Sequence, residues 1–355
     1  MICINDFVIR EDVCNMRCQY CLTGTSLFKK IESAGYDDKR LVYSEGTQLQ
    51  KNIDEVTNRL FERFKPAILK ISGGEILLIK GIIEYLKKHS KNYSRVQLLT
   101  NGLLLTHDIA KELSLIPNLC LQISLDHHTL DGNMHRTKDD DVLLKILNNL
   151  DYAVSQGINI EINCVLNDKN THIIPSFAQY LLKYKGRVIL LPFPVRGKEK
   201  NQFMPRKEQL SGIETLIKEY EFFCDILPPK IYLEFLYDFM KSGRRKSKCI
   251  FPKIALGSFD DGNITPCANY WFTAFGNVLH EDCDLVLDKV GSEKIYNVLC
   301  NQKHMLEECA QCFTPWEILN LYVEGLISID ELKRIPLYFF EGIETYLQNL
   351  IGEEK

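Results

Sequence analysis

ICINDFVIREDVCNMRCQYC, residues 2–21, sets the frame for the whole chain. Ile2–Ile9 is an apolar run bounded by charged residues, the pattern of a buried strand. Directly after it come Cys14, Cys18 and Cys21, three thiols within eight residues. Structural zinc takes four closed ligands, commonly as two CxxC pairs, and no second pair lies near this one. A disulfide framework uses cysteines in pairs and belongs to secreted chains. An iron–sulfur cubane takes cysteine thiolates, four when its ligand set is complete. Three thiolates would leave one iron open to a small molecule, and the rest of the chain must choose among these.

Outward from that stretch, strand patterns alternate with helical ones. Strands are expected at Ile2–Ile9, Ala67–Ile71, Val96–Leu99, Leu119–Leu125, Asn159–Leu166 and Arg187–Leu191, with helices at 46–64, 79–89, 106–115, 141–156 and 173–184. This is the pattern of right-handed parallel βαβ units. Periodicity alone fits both a partial barrel and an open doubly wound sheet, and either gathers its chemistry at the C-terminal ends of the strands. Beyond residue 205 helices are expected at 207–223, 229–243, 315–325 and 328–349.

Composition narrows the class. With 355 residues there is room for one large domain and a smaller one, and a net charge of −4 gives no general case for nucleic acid. No signal-peptide pattern opens the sequence, and no apolar run approaches the roughly 20 residues of a membrane span. A cytoplasmic location is therefore expected, with neither nucleic acid nor membrane as partner. In a reducing compartment thirteen cysteines argue for metal before disulfide.

ISGGEILL, residues 71–78, ends the second strand. Its two glycines allow close approach of backbone to a ligand, and Glu75 puts a carboxylate at the mouth, suited to an ammonium group. The combination of Cys14-x3-Cys18-x2-Cys21 with Gly73-Gly74-Glu75 resembles the radical S-adenosylmethionine (radical SAM) superfamily. TNG at 100–102, SLD at 124–126 with His135-Arg136 beyond, and INCVLND at 162–168 extend the resemblance over residues 1–200. It implies a partial (β/α)6 TIM-like barrel. It also implies that Cys14, Cys18 and Cys21 hold a [4Fe–4S] cluster whose fourth iron is chelated by SAM. By the same resemblance Tyr20 lies by the adenine, and Gly73, Gly74 and Glu75 hold the methionine amino group. Ser124 and Arg136 contact ribose or carboxylate, and Asn163 the ribose. Ile76 and His127 depart from the usual proline and glycine; the latter places an imidazole, with His128 beside it, near the expected mouth as a possible base. No residue is assigned as catalytic.

The C-terminal part carries a second cysteine group. Cys249 and Cys267 flank IFPKIALGSFDDGNITP, AFGNV follows at 274–278, and Cys309-Ala-Gln-Cys312 comes later. On spacing alone these four could bind zinc. Beside a radical SAM core they resemble the auxiliary-cluster module called twitch, the short form of SPASM, in which Gly262 and Cys267 close a small hairpin. That implies a second [4Fe–4S] cluster on Cys249, Cys267, Cys309 and Cys312, with Cys283 or Cys300 as alternative ligands. Cys3, Cys120, Cys164 and Cys224 lie in apolar runs and read as core. The basic stretch GRRKSK, residues 243–248, reads as a solvated face, and Thr314 with Glu317 reads as a capping box in front of a helix whose Trp316 packs on the cluster segment.

The resulting organisation is a barrel core over 1–205, a helical linker over 206–248, a small auxiliary-cluster domain over 249–314 and terminal helices over 315–355. The resemblance implies reductive cleavage of SAM to a 5′-deoxyadenosyl radical, hydrogen abstraction from substrate, a reductant such as flavodoxin or ferredoxin, and the auxiliary cluster as electron acceptor. The expected substrate is a ribosomally made peptide to be crosslinked, epimerised or oxidised. The alternative is a small alcohol or sugar, as in twitch-type dehydrogenases.

Overall fold

Residues 2–22, 39–197, 200–267, 269, 274–292, 294–301 and 306–353 are described in the computed structural model of the chain. Six parallel strands follow in sequence: β1 (Ile4–Ile9), β2 (Ile68–Gly73), β3 (Arg95–Thr100), β4 (Leu119–Ser124), β5 (Ile160–Leu166) and β6 (Val188–Pro194). The helices α1 (Gln48–Phe64), α2 (Ile82–His89), α3 (His107–Ser114), α4 (Asp140–Ser155) and α5 (Ile174–Leu181) connect them, and α6 (Ser211–Lys218) follows β6. All six expected strands and the five connecting helices are present, within a few residues of the bounds read from sequence.

Local chemistry sets those bounds. Thr47 caps α1 by accepting from Gln50 N at 3.2 Å, and Lys65, left-handed at φ 47°, ends it by donating its N–H to Phe61 O. Asp139 caps α4 through Asp141 N at 2.9 Å and Val142 N at 3.3 Å. The strands are almost wholly buried, and so they read as near-continuous apolar runs rather than as alternation.

The sheet order is β6-β5-β4-β3-β2-β1-β7-β8-β9, an open sheet that does not close on itself. The segment expected as a separate small domain begins by extending this sheet. β7 (Ala255–Phe259) pairs in parallel with β1, and β8 (Asn263–Thr265) and β9 (Gly276–Asn277) add antiparallel to it. The reason is visible in β1, whose second edge is otherwise open and whose flanks are fully buried; β7 satisfies its hydrogen bonds. Gly262, at φ 90°, makes the β7–β8 turn, as the Gly-x4-Cys spacing suggested.

Other expectations fail for identifiable reasons. The single helix expected over 328–349 is broken into Ile329–Lys333, a 3-10 turn at Pro336–Tyr338, and Ile343–Glu353, because Pro336 cannot continue an α-helix. That over 207–223 divides into Lys207–Leu210, α6 and Tyr220–Phe223. The outermost bounds given above, residues 1 and 355, lie outside the described residues.

The sheet interior is polar at one level. Lys70, Gln97, Gln122 and Glu161 face a small cavity that Pro315, Trp316, Leu337 and Tyr338 close. Glu161 accepts from Leu337 N at 2.8 Å and from Gln122 Nε2 at 3.1 Å, and Lys70 Nζ lies 4.3 Å from the Trp316 ring. These polar groups sit well before the ends of their strands, so the C-terminal segment stoppers the sheet away from the strand ends where the cysteine loop lies.

Candidate active site

The loop after β1 is gripped by backbone. Gly74 N donates to Arg10 O at 3.2 Å and Glu75 N to Val13 O at 2.7 Å. A Cβ on Gly73 would lie 2.0 Å from Ile9 O, and one on Gly74 would lie 1.9 Å from Val13 O. The glycines are therefore required first for contact between β2 and the base of the cysteine loop, a reason the sequence reading did not see.

Glu75 is buried, and its two oxygens are already engaged. Oε1 accepts from Thr100 Oγ1 at 2.7 Å and Leu77 N at 3.0 Å, and Oε2 from Asn101 N at 2.7 Å. Burial raises its carboxyl, and those hydrogen bonds and the Arg136 charge work the other way. Asn101 continues the chain of contacts with Nδ2 to Asn15 Oδ1 at 2.7 Å and to Cys14 Sγ at 3.9 Å. Met16 N donates to Cys14 Sγ at 3.4 Å. Thus GGE and TNG together hold the first cysteine from two strands.

Cys14, Cys18 and Cys21 act on one another electrostatically, so the loop brings all three thiols to one place. Burial pushes Cys14 up to about 12 and raises Cys18, where Arg136 opposes the shift. Thiols in this state lose their protons on meeting a metal centre, which takes thiolate. Three neighbouring thiols, Cys14 with N–H donors on its sulfur, fit the three-ligand cluster the resemblance implies.

On the far side of the loop Tyr20 donates its hydroxyl to Asp126 Oδ2, and Arg136 Nη1 donates to the same hydroxyl at 3.2 Å. Asp126 is fully buried and also accepts from Val165 N at 3.0 Å. Burial carries its carboxyl up to about 6, against the pull of Arg136 and Tyr20. Asp126 and Asn101 were not chosen from sequence, although both lie inside motifs quoted there; nothing in a single sequence says which motif position faces inward. His135 fastens the other end of the loop, with Nδ1 2.7 Å from Gln19 Oε1 and Nε2 2.6 Å from Asp168 Oδ1.

Ser124 and Asn163 are register partners on β4 and β5. Asn163 Oδ1 is buried and has no hydrogen-bond partner. An unmet buried acceptor is costly, on the order of 1–3 kcal/mol, and a ribose hydroxyl would satisfy it. That is the observation by which the chain's residues fit SAM.

His127 is a different matter. Thr129 N donates to its Nδ1 at 3.1 Å, which leaves Nε2–H to donate to Ser176 Oγ at 3.0 Å and Ile173 O at 3.3 Å. Burial, with His128 beside it, takes its pKa down to about 4. His128 stacks on Tyr180 at 4.5 Å. Both histidines belong to the β4–α4 loop's packing, as loop histidines rather than bases at the mouth.

The second cysteine group converges from three segments. Cys267 follows the β7–β8 hairpin, Cys249 precedes it, and Cys309 and Cys312 flank one turn; their thiols all interact electrostatically. Burial raises Cys249, Cys267 and Cys309, the last to about 12. Asn269 N donates to Cys267 Sγ at 3.4 Å. Among the described residues no three His, Cys, Asp or Glu side chains crowd together closely enough for a single ion. A cubane binds each thiolate through a different iron and so takes a wider set. Cys283 stands apart, where the Arg59 charge acts on its thiol.

Three further corrections follow. Arg245 of the basic stretch is buried, with Nε and Nη2 on Glu317 Oε2 at 3.0 and 2.6 Å, while Ser247 donates to Glu317 Oε1. Glu317 is therefore taken from the expected capping box, and Thr314 Oγ1 is left buried without a partner. Trp316 does pack as expected, stacked 4.3 Å from Phe251. Cys224 is half-buried at a helix end with Sγ on Glu221 O at 3.3 Å, not in the core with Cys3, Cys120 and Cys164.

This is the geometry of a radical SAM domain, and sequence comparison agrees: residues 8–174 match the model of the radical SAM superfamily. Residues 8–174 therefore form a radical SAM domain. It is 26% identical over 283 residues to GTP 3′,8-cyclase of Helicobacter pylori (strain ATCC 700392 / 26695), covering 72% of this chain and 78% of that one. It is 27% identical over 173 residues to mycofactocin maturase MftC of Mycobacterium tuberculosis (strain ATCC 25618 / H37Rv), 48% of this chain and 40% of that one. Among solved structures, anSMEcpe with bound AdoMet aligns over 99% of this chain and 100% of its own at TM-score 0.58 and 16% identity. Streptococcus suis SuiB bound to S-adenosylmethionine aligns over 97% of this chain and 77% of its own at TM-score 0.59 and 12% identity. At these identities the structural likeness speaks for the fold. Among the described residues no helix is long and apolar enough to cross a membrane.

Proposed function

We propose that this radical SAM enzyme modifies a peptide, with a SAM-binding cluster on Cys14, Cys18 and Cys21 and a second [4Fe–4S] cluster on Cys249, Cys267, Cys309 and Cys312. The observation that carries the reading is the convergence of those last four thiols from three separate segments. A site with four protein ligands has no open position for substrate, so its fitting role is to accept an electron, and oxidation or bond formation on the substrate is the natural outcome.

When bound, the first cluster and SAM supply a 5′-deoxyadenosyl radical that removes hydrogen from an unactivated C–H bond. The chain's part is placement and exclusion of water. Gly73, Gly74 and Glu75 set the height of the loop and offer the methionine amino group a carboxylate. Asn163 and Ser124 take the ribose. Arg136 offers a guanidinium to the SAM carboxylate, and Tyr20 walls the adenine side. An external one-electron reductant such as flavodoxin or ferredoxin completes the system.

Peptide is favoured because the fold aligns along most of its length with proteins recorded with peptides, SuiB with precursor peptide SuiA and anSMEcpe with Cp18Cys peptide. A nucleotide is the second reading, favoured by the GTP 3′,8-cyclases, one of which aligns over 84% of the chain. A small alcohol or sugar is the third chemistry to be tested. The experiment is anaerobic reconstitution followed by SAM cleavage with a panel of peptides, GTP and aminosugars. The peptide reading expects 5′-deoxyadenosine formation to be coupled to a mass change in a peptide. Coupling to GTP or an aminosugar instead would replace it.

A further inference from the structure

Arg196 lies two residues beyond β6, and its guanidinium charge acts on the Cys312 and Cys267 thiols. Through Nη1 it donates to Asn269 Oδ1 at 2.9 Å, and Asn269 N in turn donates to Cys267 Sγ. A single arginine thus reaches one cysteine of the C-terminal set through one residue and acts on a second through space. The Phe193 ring lies 5.7 Å from its Cζ, and its Nε is buried without a partner.

Its charge is also left standing. Arg245 acts on Cys249 and Cys312 from another side, but Glu317 cancels it at 2.6 Å. No carboxylate pairs with Arg196 within salt-bridge distance among the described residues; Asp6 acts on it only through space. Two guanidiniums therefore flank the same thiols, the buried one of Arg245 neutralised and the half-buried one of Arg196 not.

We infer that Arg196 sets the reduction potential of the iron–sulfur centre held by Cys249, Cys267, Cys309 and Cys312. A centre with four thiolate ligands is net negative, and reduction makes it more so. A positive charge beside the ligand sulfurs stabilises the reduced form more than the oxidised one, and a donor to sulfur, which Asn269 N is and Arg196 holds in place, acts in the same direction. Arg245 with Glu317 is close to neutral from the thiols' side and serves to hold the segment.

This inference rests on the second cluster proposed above, and the test separates the two. The full-length chain with Cys14, Cys18 and Cys21 all changed to alanine is reconstituted anaerobically, iron is counted, and the midpoint is found by an EPR-monitored redox titration with dithionite. About four irons per chain are expected from the remaining site. In that background Arg196→Gln is expected to shift the oxidised-to-reduced ratio at fixed potential at least tenfold toward oxidised, about 59 mV lower for a one-electron couple. Arg196→Lys, which keeps the charge, is expected to recover at least half of that shift, and it carries the comparison should the glutamine variant fail to assemble. The double variant Arg245→Met, Glu317→Met is expected to move the ratio less than threefold. Four irons with an unchanged midpoint in the Arg196 variants would overturn the role of Arg196 alone. No iron at all in the triple-alanine background would overturn the second cluster, and this inference with it.

Discussion

The two cysteine groups are built in opposite ways. The first is local: three thiols within eight residues, on a loop clamped by backbone from β2 and side chains from β3. The second is assembled at a distance, from Cys249 ahead of β7, Cys267 just after the β7–β8 hairpin, and a turn about forty residues further on. Its segments are joined by a buried ion pair, Arg245 to Glu317, and by the backbone contact of Arg245 N with Ala310 O at 2.7 Å. A local site needs only a rigid base. A distant one needs its segments to be docked first, and so it depends on packing that the first does not use.

That difference is easiest to break with the cysteines themselves. Cys18→Ala is expected to abolish SAM cleavage altogether, measured as 5′-deoxyadenosine per turnover. Cys309→Ala is expected to lose roughly half of the iron and all product, yet keep uncoupled cleavage. Full product from Cys309→Ala would remove the electron-acceptor role.

Docking of the second group is tested next. Glu317→Ala leaves Arg245 buried and unpaired, which is expected to cost about 3–5 kcal/mol in urea unfolding. Replacing both by methionine should restore most of that loss, since an apolar pair can stand in for a buried ion pair. If Glu317→Ala were no less stable than the parent, the ion pair would not be what joins these segments.

For the first group the sharper probe is Gly74→Ala. The added Cβ meets a backbone oxygen, which cannot swing away as a side chain would. We expect about 1–3 kcal/mol of destabilisation and poor loading of the N-terminal cluster, read as iron per chain in a Cys309→Ala background. Normal loading there would mean that the loop shifts freely on β2.

The last effect is one of pH and concerns the β4–α4 loop. His127 has a folded pKa of about 4, below its ordinary value, because burial excludes the charged form. The unfolded chain therefore binds the extra proton first as pH falls. The stability that neutral His127 contributes is complete above about pH 6.5 and is lost progressively down to about pH 4, on the order of 3 kcal/mol in all. His127→Asn should flatten the fall in urea midpoint between pH 7.5 and 4.5 relative to the parent. A slope equal to the parent's would mean that His127 is not the group responsible.

How much could be read in advance divides along the same line. The βαβ alternation, the three-cysteine loop and the GGE and TNG turns were legible because each is a run of neighbours with its own period or spacing. The fate of Glu317 was not. Its spacing from Thr314 fits a capping box, and only the approach of Arg245, from a segment 72 residues away, takes its carboxylate elsewhere. His127 likewise reads as an imidazole at a strand end, and it is Ser176 and Ile173 on the neighbouring loop and helix that turn it inward.

By itself the sequence determined the parallel α/β core, the positions of its strands and the two groups of cysteines, because period and spacing act over a few residues. Only the tertiary structure decided that β7 joins β1, so that the second group grows from the same sheet as the first. It alone set the charge around each group, leaving Arg196 beside the second group with no ion-pair partner among the described residues and Arg245 paired. The reason is physical. Which buried charge meets which partner depends on distances that no single stretch of chain contains.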